Sequence, residues 1–522
     1  MTIADLLAEQ VRARPAAIAL IEERTGRRLS YADLAAEVAA AAAWLEARGI
    51  RRGDGVLLFV PVSIDLYVAL LALFRLGAVA LLLDLGAGPG HVAACCERWP
   101  PAALLAVPLG HLLRLRCAAL RRIPRRIAVG GWFPGADRWP AGARIRMTDT
   151  LAAVAPDHPA LVTFTSGSTG VPKAAVRTHG FLLAQLRAVV PHLALEAGEV
   201  DLATLPVFTL ASLAAGVQTV LPAFDLRHPG RVAGADVAAA IARHGVTRLT
   251  ASPALLAGLA RHAGTSGKPL STLRKIFTGG APVFARVLRD LADAAPQARV
   301  TAVYGSTEAE PIAHVDAREI APEDEAAMGG GAGLLAGRPV AELKLKVLRD
   351  RWGEPRGTMS AAEFAAETLA TGAVGEIVVS GTHVLAGYLD GVGEAETKFT
   401  VGAERWHRTG DAGWLDPSGR LWLAGRCAAR IVDETGVLYP FAAECVAMQF
   451  PAVRQAAFVA HAGRRWLLVA AAETPELRVE LAAALAWAKP DVIRFRRELP
   501  VDRRHNAKID YPALRRELDR MG

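Results

Sequence analysis

The residues most clearly spaced for chemistry lie in ALVTFTSGSTGVPKAAVRTH. There an apolar run passes into Thr165, Ser166, Gly167, Ser168, Thr169 and Gly170, followed by Val171, Pro172 and Lys173. Glycines let the backbone bend until several N–H groups converge on an anion, and the hydroxyls beside them add donors. This is phosphate-binding chemistry on a turn that leaves a buried strand. It is not the GxxxxGK[ST] loop of P-loop nucleotidases, because the Gly167 to Lys173 spacing and the intervening proline do not match that pattern.

On this segment the chain resembles the AMP-forming acyl-adenylating superfamily of acyl-CoA synthetases, luciferases and peptide-synthetase adenylation domains. The remaining signatures of that superfamily occur in order across nearly the whole sequence. FTGGAP holds Gly279, Gly280, Ala281 and Pro282, for which the resemblance implies a wall of the adenine pocket. In VYGSTEAEP it implies Tyr304 against adenine, Thr307 on the phosphates and Glu308 on Mg²⁺. A carboxylate is the hard oxygen ligand that Mg²⁺ prefers while it shares its shell with phosphate oxygens. HRTGDAGWLDPSGRLWLAGR supplies Asp411, implied to accept the ribose hydroxyls, and Arg426, a donor to the same sugar. VDRRHNAKIDY offers Lys508 at the position of the superfamily's catalytic lysine. A compact ammonium on a flexible stem can follow the charge that develops on the α-phosphate and carboxylate oxygens. The expected reaction consumes ATP, uses Mg²⁺, joins a carboxylic acid to AMP and releases pyrophosphate.

Departures from the CoA-ligase pattern bear on the fate of the acyl-AMP. Where those ligases carry hinge charges and a small, basic pair, this chain reads GRCAARIVDETGVLYPFAAEC, with Ala428, Ala429 and Val437-Leu438-Tyr439. Thr209 stands in LPVFTLASL where many of them have a histidine, and the lysine motif reads RHNAKID. In these details the chain is similar to the olefin-pathway β-lactone synthetases. That similarity implies that the 3-hydroxyl of the activated acid displaces AMP without a thiol. Tethering supplies a high effective molarity for such an attack. The expected substrate is a small carboxylic acid with an apolar, 3-hydroxylated chain. Phe208, Leu210 and Ala211 are its candidate pocket, and enzymes of the same biosynthetic pathway are candidate partners. His505 and His314 lie near the motifs, but neither is read as the base for the hydroxyl. Two other readings stay open: an acyl-CoA or acyl-carrier ligase of the same fold, and a non-catalytic nucleotide-binding scaffold.

The elements that must position these residues are set by the hydrophobic pattern. From about residue 30 to 330, runs such as GVLLFV, AALLAV, ALVTFT and LATLPV alternate with longer Ala/Leu-rich amphipathic stretches. That alternation predicts an α/β fold of layered, largely parallel sheets with helices. The glycine run in MGGGAGLL reads as a flexible loop, followed by the strand AELKLKVL. A boundary near Arg426 predicts an N-terminal adenylate-forming domain over 1–425. The expected remainder, 426–522, is a small, mobile α+β cap carrying Lys508.

The 522-residue length exceeds one ordinary core. Five cysteines without CxxC spacing suggest neither a disulfide framework nor a zinc site, which fits a cytoplasmic protein starting at Met1 without a signal peptide. Arg75, Gly77 and Asp84 interrupt the apolar window Leu66 to Leu85, so it reads as a core helix and a strand, with no membrane span. The net charge is +8, part of it in HLLRLRCAALRRIPRRI with Arg114, Arg116, Arg121, Arg122, Arg125 and Arg126. The plain reading is a solvated face, and the charge also suits acidic lipid or an acidic partner. Nucleic acid is disfavoured, because no aromatic residues interleave with these arginines.

Overall fold

The computed structural model describes residues 3–83, 88–144, 154–165, 172–502 and 508–520. They form two compact units, one of Met1–Ala223 with Thr382–Glu394, the other of Phe224–Gly381 with Ala395–Gly522.

In the first unit a seven-stranded sheet among the described residues is parallel from Asp137–Arg138 through Arg125–Ala128, Ala103–Ala106, Gly55–Phe59 and Val79–Leu82 to Pro159–Thr165. Lys173–Thr178 closes its edge in antiparallel fashion. The inner strands Ala103–Ala106, Gly55–Phe59 and Val79–Leu82 are continuous apolar runs, as a parallel sheet buried on both faces demands. A second group pairs Val200–Ala203, Gln218–Leu221 and Ile18–Glu22 in parallel, with Arg28–Ser30 antiparallel beside them. The apolar window resolves into the helix Ile64–Leu76, capped by Ser63 and by Gly77 in the left-handed conformation, and the strand Val79–Leu82. No helix among the described residues is long and apolar enough to cross a membrane. LATLPV is only partly a strand: pairing stops at Ala203, and Pro206, with no N–H to lose, opens the helix Pro206–Ala214.

In the second unit, Arg248–Ala251, Lys275–Gly279 and Arg299–Ser306 are parallel. The sheet then turns antiparallel through Ala309–Asp316, Leu334–Pro339, Leu421–Arg426, Glu404–Leu415, Gly375–Gly381 and Leu343–Leu348. The glycine run is a packed turn rather than a flexible loop, and Leu334–Pro339 precedes the expected strand. A Cβ on Gly331 would meet the Trp487 ring at 2.4 Å, and one on Gly333 would meet the Leu423 carbonyl at 2.3 Å. Close approach by an aromatic ring and a neighbouring strand, not a need for mobility, therefore accounts for those glycines.

Beyond Arg426 the chain builds a smaller α+β domain. It holds the hairpin Ile431–Asp433 with Gly436–Leu438, the helix Pro440–Met448, the sheet Gln455–His461, Arg464–Ala470 and Val492–Arg496, and the helix Tyr511–Asp519. Phe458, Leu467, Val469, Leu481 and Leu485 form its core.

Candidate active site

Three of the sequence-identified residues meet in the second unit: Asp411 and Arg426 lie on adjacent strands, and Tyr304 reaches them from Arg299–Ser306, beyond two intervening strands of the sheet. Asp411, in the long strand Glu404–Leu415, faces Arg426, the last residue of Leu421–Arg426. The Tyr304 hydroxyl donates to Asp411 Oδ2 at 2.7 Å, and Arg426 Nη1 donates to Oδ1 at 2.8 Å. Burial, reinforced by the Asp411 carboxylate, pushes the Tyr304 phenol well above its ordinary range, so it stays protonated and donates. The same carboxylate raises Arg426, whose side chain is half exposed and stays cationic. Asp411 thus presents an oriented pair of oxygens, each held from one side, that can still accept from a polyhydroxyl ligand.

The backbone around Asp411 is fixed from beneath. Its N–H donates to Thr409 Oγ1, and that hydroxyl donates to the Ile377 carbonyl. Arg408 is buried and makes two bonds to Glu376, of 2.7 and 2.9 Å. Its remaining N–H groups reach the carbonyls of Arg351, Glu354 and Glu396. This fork ties the 351–354 loop to the strand before Asp411 and sets Trp352 beside Gly410. Gly410 is at φ 72°, and a Cβ there would sit 2.8 Å from the Trp352 ring. The sequence motifs do not single out Arg408, Glu376 or Trp352. An arginine inside a half-buried strand, next to an acid-bearing turn, is the signal that could have found them.

Gly279 ends the strand Lys275–Gly279 opposite Val303, so Gly279, Gly280, Ala281 and Pro282 run beside Tyr304. A Cβ on Gly279 would meet the Val303 carbonyl at 2.5 Å, which requires glycine there. Thr307 and Glu308 form the two-residue turn between Arg299–Ser306 and Ala309–Asp316. Glu308 is half-buried, and among the described residues no group of three His, Cys, Asp or Glu could hold an ion. A single carboxylate on a turn fits Mg²⁺ that takes its other ligands from phosphates and water. Buried His407 lies within electrostatic reach of Glu308; burial and then Lys398 drive its imidazole down to about 3. Its Nδ1 lies 3.1 Å from the Thr397 carbonyl, which only accepts, so the neutral ring carries its proton on Nδ1.

Lys508 is exposed and forms a reciprocal pair with Asp502. Asp502 N–H donates to the Lys508 carbonyl at 2.8 Å, and Lys508 N–H donates to Asp502 Oδ1 at 2.9 Å. Three residues on, the Tyr511 hydroxyl donates to buried Glu444 at 2.6 Å, and Phe458 N–H donates to the same carboxyl oxygen. Arg426 acts electrostatically on Tyr511, so the lysine-bearing segment lies in the neighbourhood of the Asp411 cluster.

In the first unit, Thr165 ends one strand opposite Lys173, which opens the next. Ser166, Gly167, Ser168, Thr169 and Gly170 lie outside the described residues, as does His505. The Lys173 side chain crosses Gly393, where a Cβ would be 2.4 Å from its Cε. Phe208, Leu210 and Ala211 lie on the helix Pro206–Ala214, Phe208 half-buried and the other two buried. Thr209 is fully buried and accepts from the Tyr67 hydroxyl at 2.9 Å. His314 sits half-buried in a strand opposite Arg338.

The family model described as AMP-binding enzyme matches residues 7–389. The chain belongs to the AMP-binding enzyme family. It is similar to an olefin beta-lactone synthetase of Stenotrophomonas maltophilia, with 35% identity over 97% of this chain and 96% of that protein. A second olefin beta-lactone synthetase, from Xanthomonas campestris, is 33% identical over 92% of this chain and 89% of its own length. Among solved structures, an anthranilate CoA ligase in complex with anthranoyl-AMP superposes with a TM-score of 0.83 at 19% identity, covering 100% of this chain and 98% of that one. An amide bond synthetase from Marinactinospora thermotolerans gives 0.79 at 22% identity, covering 99% and 100%. These two likenesses establish the shared adenylate-forming fold.

Proposed function

We propose that the protein activates a 3-hydroxy carboxylic acid with an apolar chain as its acyl-AMP and closes it to a β-lactone. The observation that carries this reading is the near full-length similarity to two olefin beta-lactone synthetases. It is supported by the Tyr304–Asp411–Arg426 cluster, which has the donors and acceptors that a ribose requires.

In the first step a carboxylate oxygen of the acid attacks the α-phosphorus of ATP in line, the bond to the bridging oxygen breaks, and pyrophosphate leaves. Asp411 accepts from the ribose hydroxyls and Arg426 donates to the same sugar. Gly279 to Pro282 and Tyr304 wall the adenine. Thr307, Lys173 and the 165–170 segment bind phosphate oxygens, and Lys508 offsets the charge that develops between phosphate and carboxylate. Glu308 would hold Mg²⁺, which when bound neutralises phosphate charge. In the second step the 3-hydroxyl oxygen attacks the acyl carbon, the acyl–phosphate C–O bond breaks, AMP departs and the hydroxyl proton is released. Leu210 and Ala211, apolar and buried, and Phe208 beside them suit a hydrocarbon tail rather than a charged one.

A CoA-ligase reading draws on relatives such as a 4-coumarate–CoA ligase-like protein of Oryza sativa, 27% identical over 85% of this chain. Against it stand Ala428 and Ala429 at the hinge position, and Tyr439, whose hydroxyl bonds Asp350 at 2.7 Å. Mass spectrometry of products from ATP, Mg²⁺ and a racemic 3-hydroxy fatty acid, with and without CoA, separates the readings. A product with the lactone mass, formed with AMP and without CoA, is expected. Acyl-CoA formed only when CoA is supplied would establish the ligase. Absence of pyrophosphate release across a broad acid panel would leave a nucleotide-binding scaffold.

A further inference from the structure

Away from the candidate active site, the first unit carries a surface built inside out. The short helix Pro108–Leu112 turns Gly110 and His111 inward, both buried, and leaves Leu109 73% exposed. The following turn Leu113–Leu115 has no buried residue, and Leu115 is 72% exposed. Trp132, on the loop after the strand Arg125–Ala128, is 71% exposed. Three large apolar side chains that far into solvent lose most of the benefit of folding, which marks a surface that is covered in use.

These side chains share one surface. A Cβ on Gly131 would lie 2.9 Å from Pro108, so the Trp132 loop abuts the start of the helix. Phe133 stacks on His111 at 5.0 Å, and the Arg114 guanidinium sits 5.8 Å from the centre of the same ring. Arg121 donates to the carbonyls of Arg114 and Leu115, which ties the next helix, Ala118–Arg122, to the turn.

The segment that builds this surface carries charge of one sign. No Asp or Glu occurs between Glu97 and Asp137, a span that includes Arg114, Arg116, Arg121, Arg122, Arg125 and Arg126. Arg116, Arg121 and Arg122 are exposed, and among the described residues none of the six is paired with a carboxylate. Protruding leucines and a tryptophan flanked by arginines match the two layers of a bilayer surface, acyl boundary below and phosphate headgroups above. The apolar groups project from a short helix, a turn and a loop, with arginines on the elements beside them. They therefore suit a fluid interface better than the shaped face of a folded partner.

We propose that this face, centred on Leu109, Leu115 and Trp132 and rimmed by Arg116 and Arg122, docks the enzyme on the surface of an anionic lipid bilayer. The chain lies on that surface and does not cross it. An apolar acyl substrate dissolved in the same bilayer would then be supplied from it, although the docking does not depend on the β-lactone reaction.

The test is co-sedimentation of the full chain with phosphatidylcholine vesicles, with and without phosphatidylglycerol, at low and high salt. Wild type is expected to partition onto phosphatidylglycerol vesicles at low salt and to leave them as salt rises. Each arginine near an anionic surface contributes about five-fold, so the Arg116→Ser/Arg122→Ser variant should bind about thirty-fold more weakly. Leu115→Ser/Trp132→Ser should weaken binding by on the order of ten-fold even at low salt. Both variants change exposed side chains and should keep the wild-type melting temperature and pyrophosphate release with a short, soluble acid. Wild-type protein that stays in solution with anionic vesicles would overturn the proposal, as would variants that sediment like wild type. Retention on an immobilised acidic protein without vesicle binding would place a protein partner on this face and overturn it equally.

Discussion

Asp411→Asn isolates the contribution of one carboxylate to nucleotide recognition. In the wild type its two oxygens accept from Tyr304 at 2.7 Å and from Arg426 at 2.8 Å, which leaves their outward lone pairs for the ribose hydroxyls. An amide of the same shape keeps one acceptor. Its NH₂ cannot face the Arg426 guanidinium, since both are donors, so it must turn toward Tyr304, and its oxygen toward Arg426. The variant therefore loses one ribose acceptor outright and converts the other from charged to neutral. A hydrogen bond to a charged acceptor contributes about 1.5–3 kcal/mol and a neutral one about 1 kcal/mol, so the combined loss is about 3 kcal/mol, or roughly a hundred-fold. Because the ribose keeps the same contacts in the ground and transition states, the loss should fall mainly on the KM for ATP, with kcat little changed. Pyrophosphate release measured against ATP concentration, beside a thermal melt to confirm folding, reads both parameters. A KM for ATP within about two-fold of wild type in a folded variant would refute the assignment of Asp411 to the sugar.

Lys508→Ala should lower acyl-AMP formation by about a hundred-fold or more while ATP binding, followed by calorimetry, stays near wild type, because the lysine meets charge that exists only in the transition state. Near-normal pyrophosphate release would remove it from that role. Burial raises the Glu444 carboxyl from 4.5 to about 7, so the folded chain holds a proton that the unfolded chain releases between those values. Stability is therefore lost as pH rises through that window, by about 3 kcal/mol from this group. Glu444→Gln cannot titrate, and its denaturation midpoint should vary less with pH between those values; parallel pH profiles for variant and wild type would show that Glu444 is not the group responsible. Glu376→Gln leaves the buried guanidinium of Arg408 facing a neutral amide and should destabilise the second unit by about 3–5 kcal/mol. An unshifted urea midpoint would mean that the fork to Glu376 holds nothing in place.

The α/β layering was legible because a parallel sheet covered on both faces demands continuous apolar runs, and GVLLF and ALLA are such runs. The family's motifs were legible for a related reason. Phosphate, ribose and metal recognition need particular side chains on turns beside strand ends, and those turns keep their local spacing. MGGGAGLL misled, because glycine permits both a loose loop and a close approach, and only the Trp487 ring against Gly331 distinguishes them. LATLPV misled because an apolar run says nothing of where pairing stops until Pro206 starts a helix.

By itself, the sequence determined the family and the α/β class, since each depends on residue type and short-range spacing. Tertiary structure alone decided that Tyr304 donates to Asp411 across 107 residues, that Arg408 closes on Glu376 beneath them, and that Glu444 holds Tyr511, three residues beyond Lys508. It also decided that Leu109, Leu115 and Trp132 face outward rather than into a core. Partnership between distant strands and exposure to solvent are properties of the packed chain, and local periodicity carries no record of either.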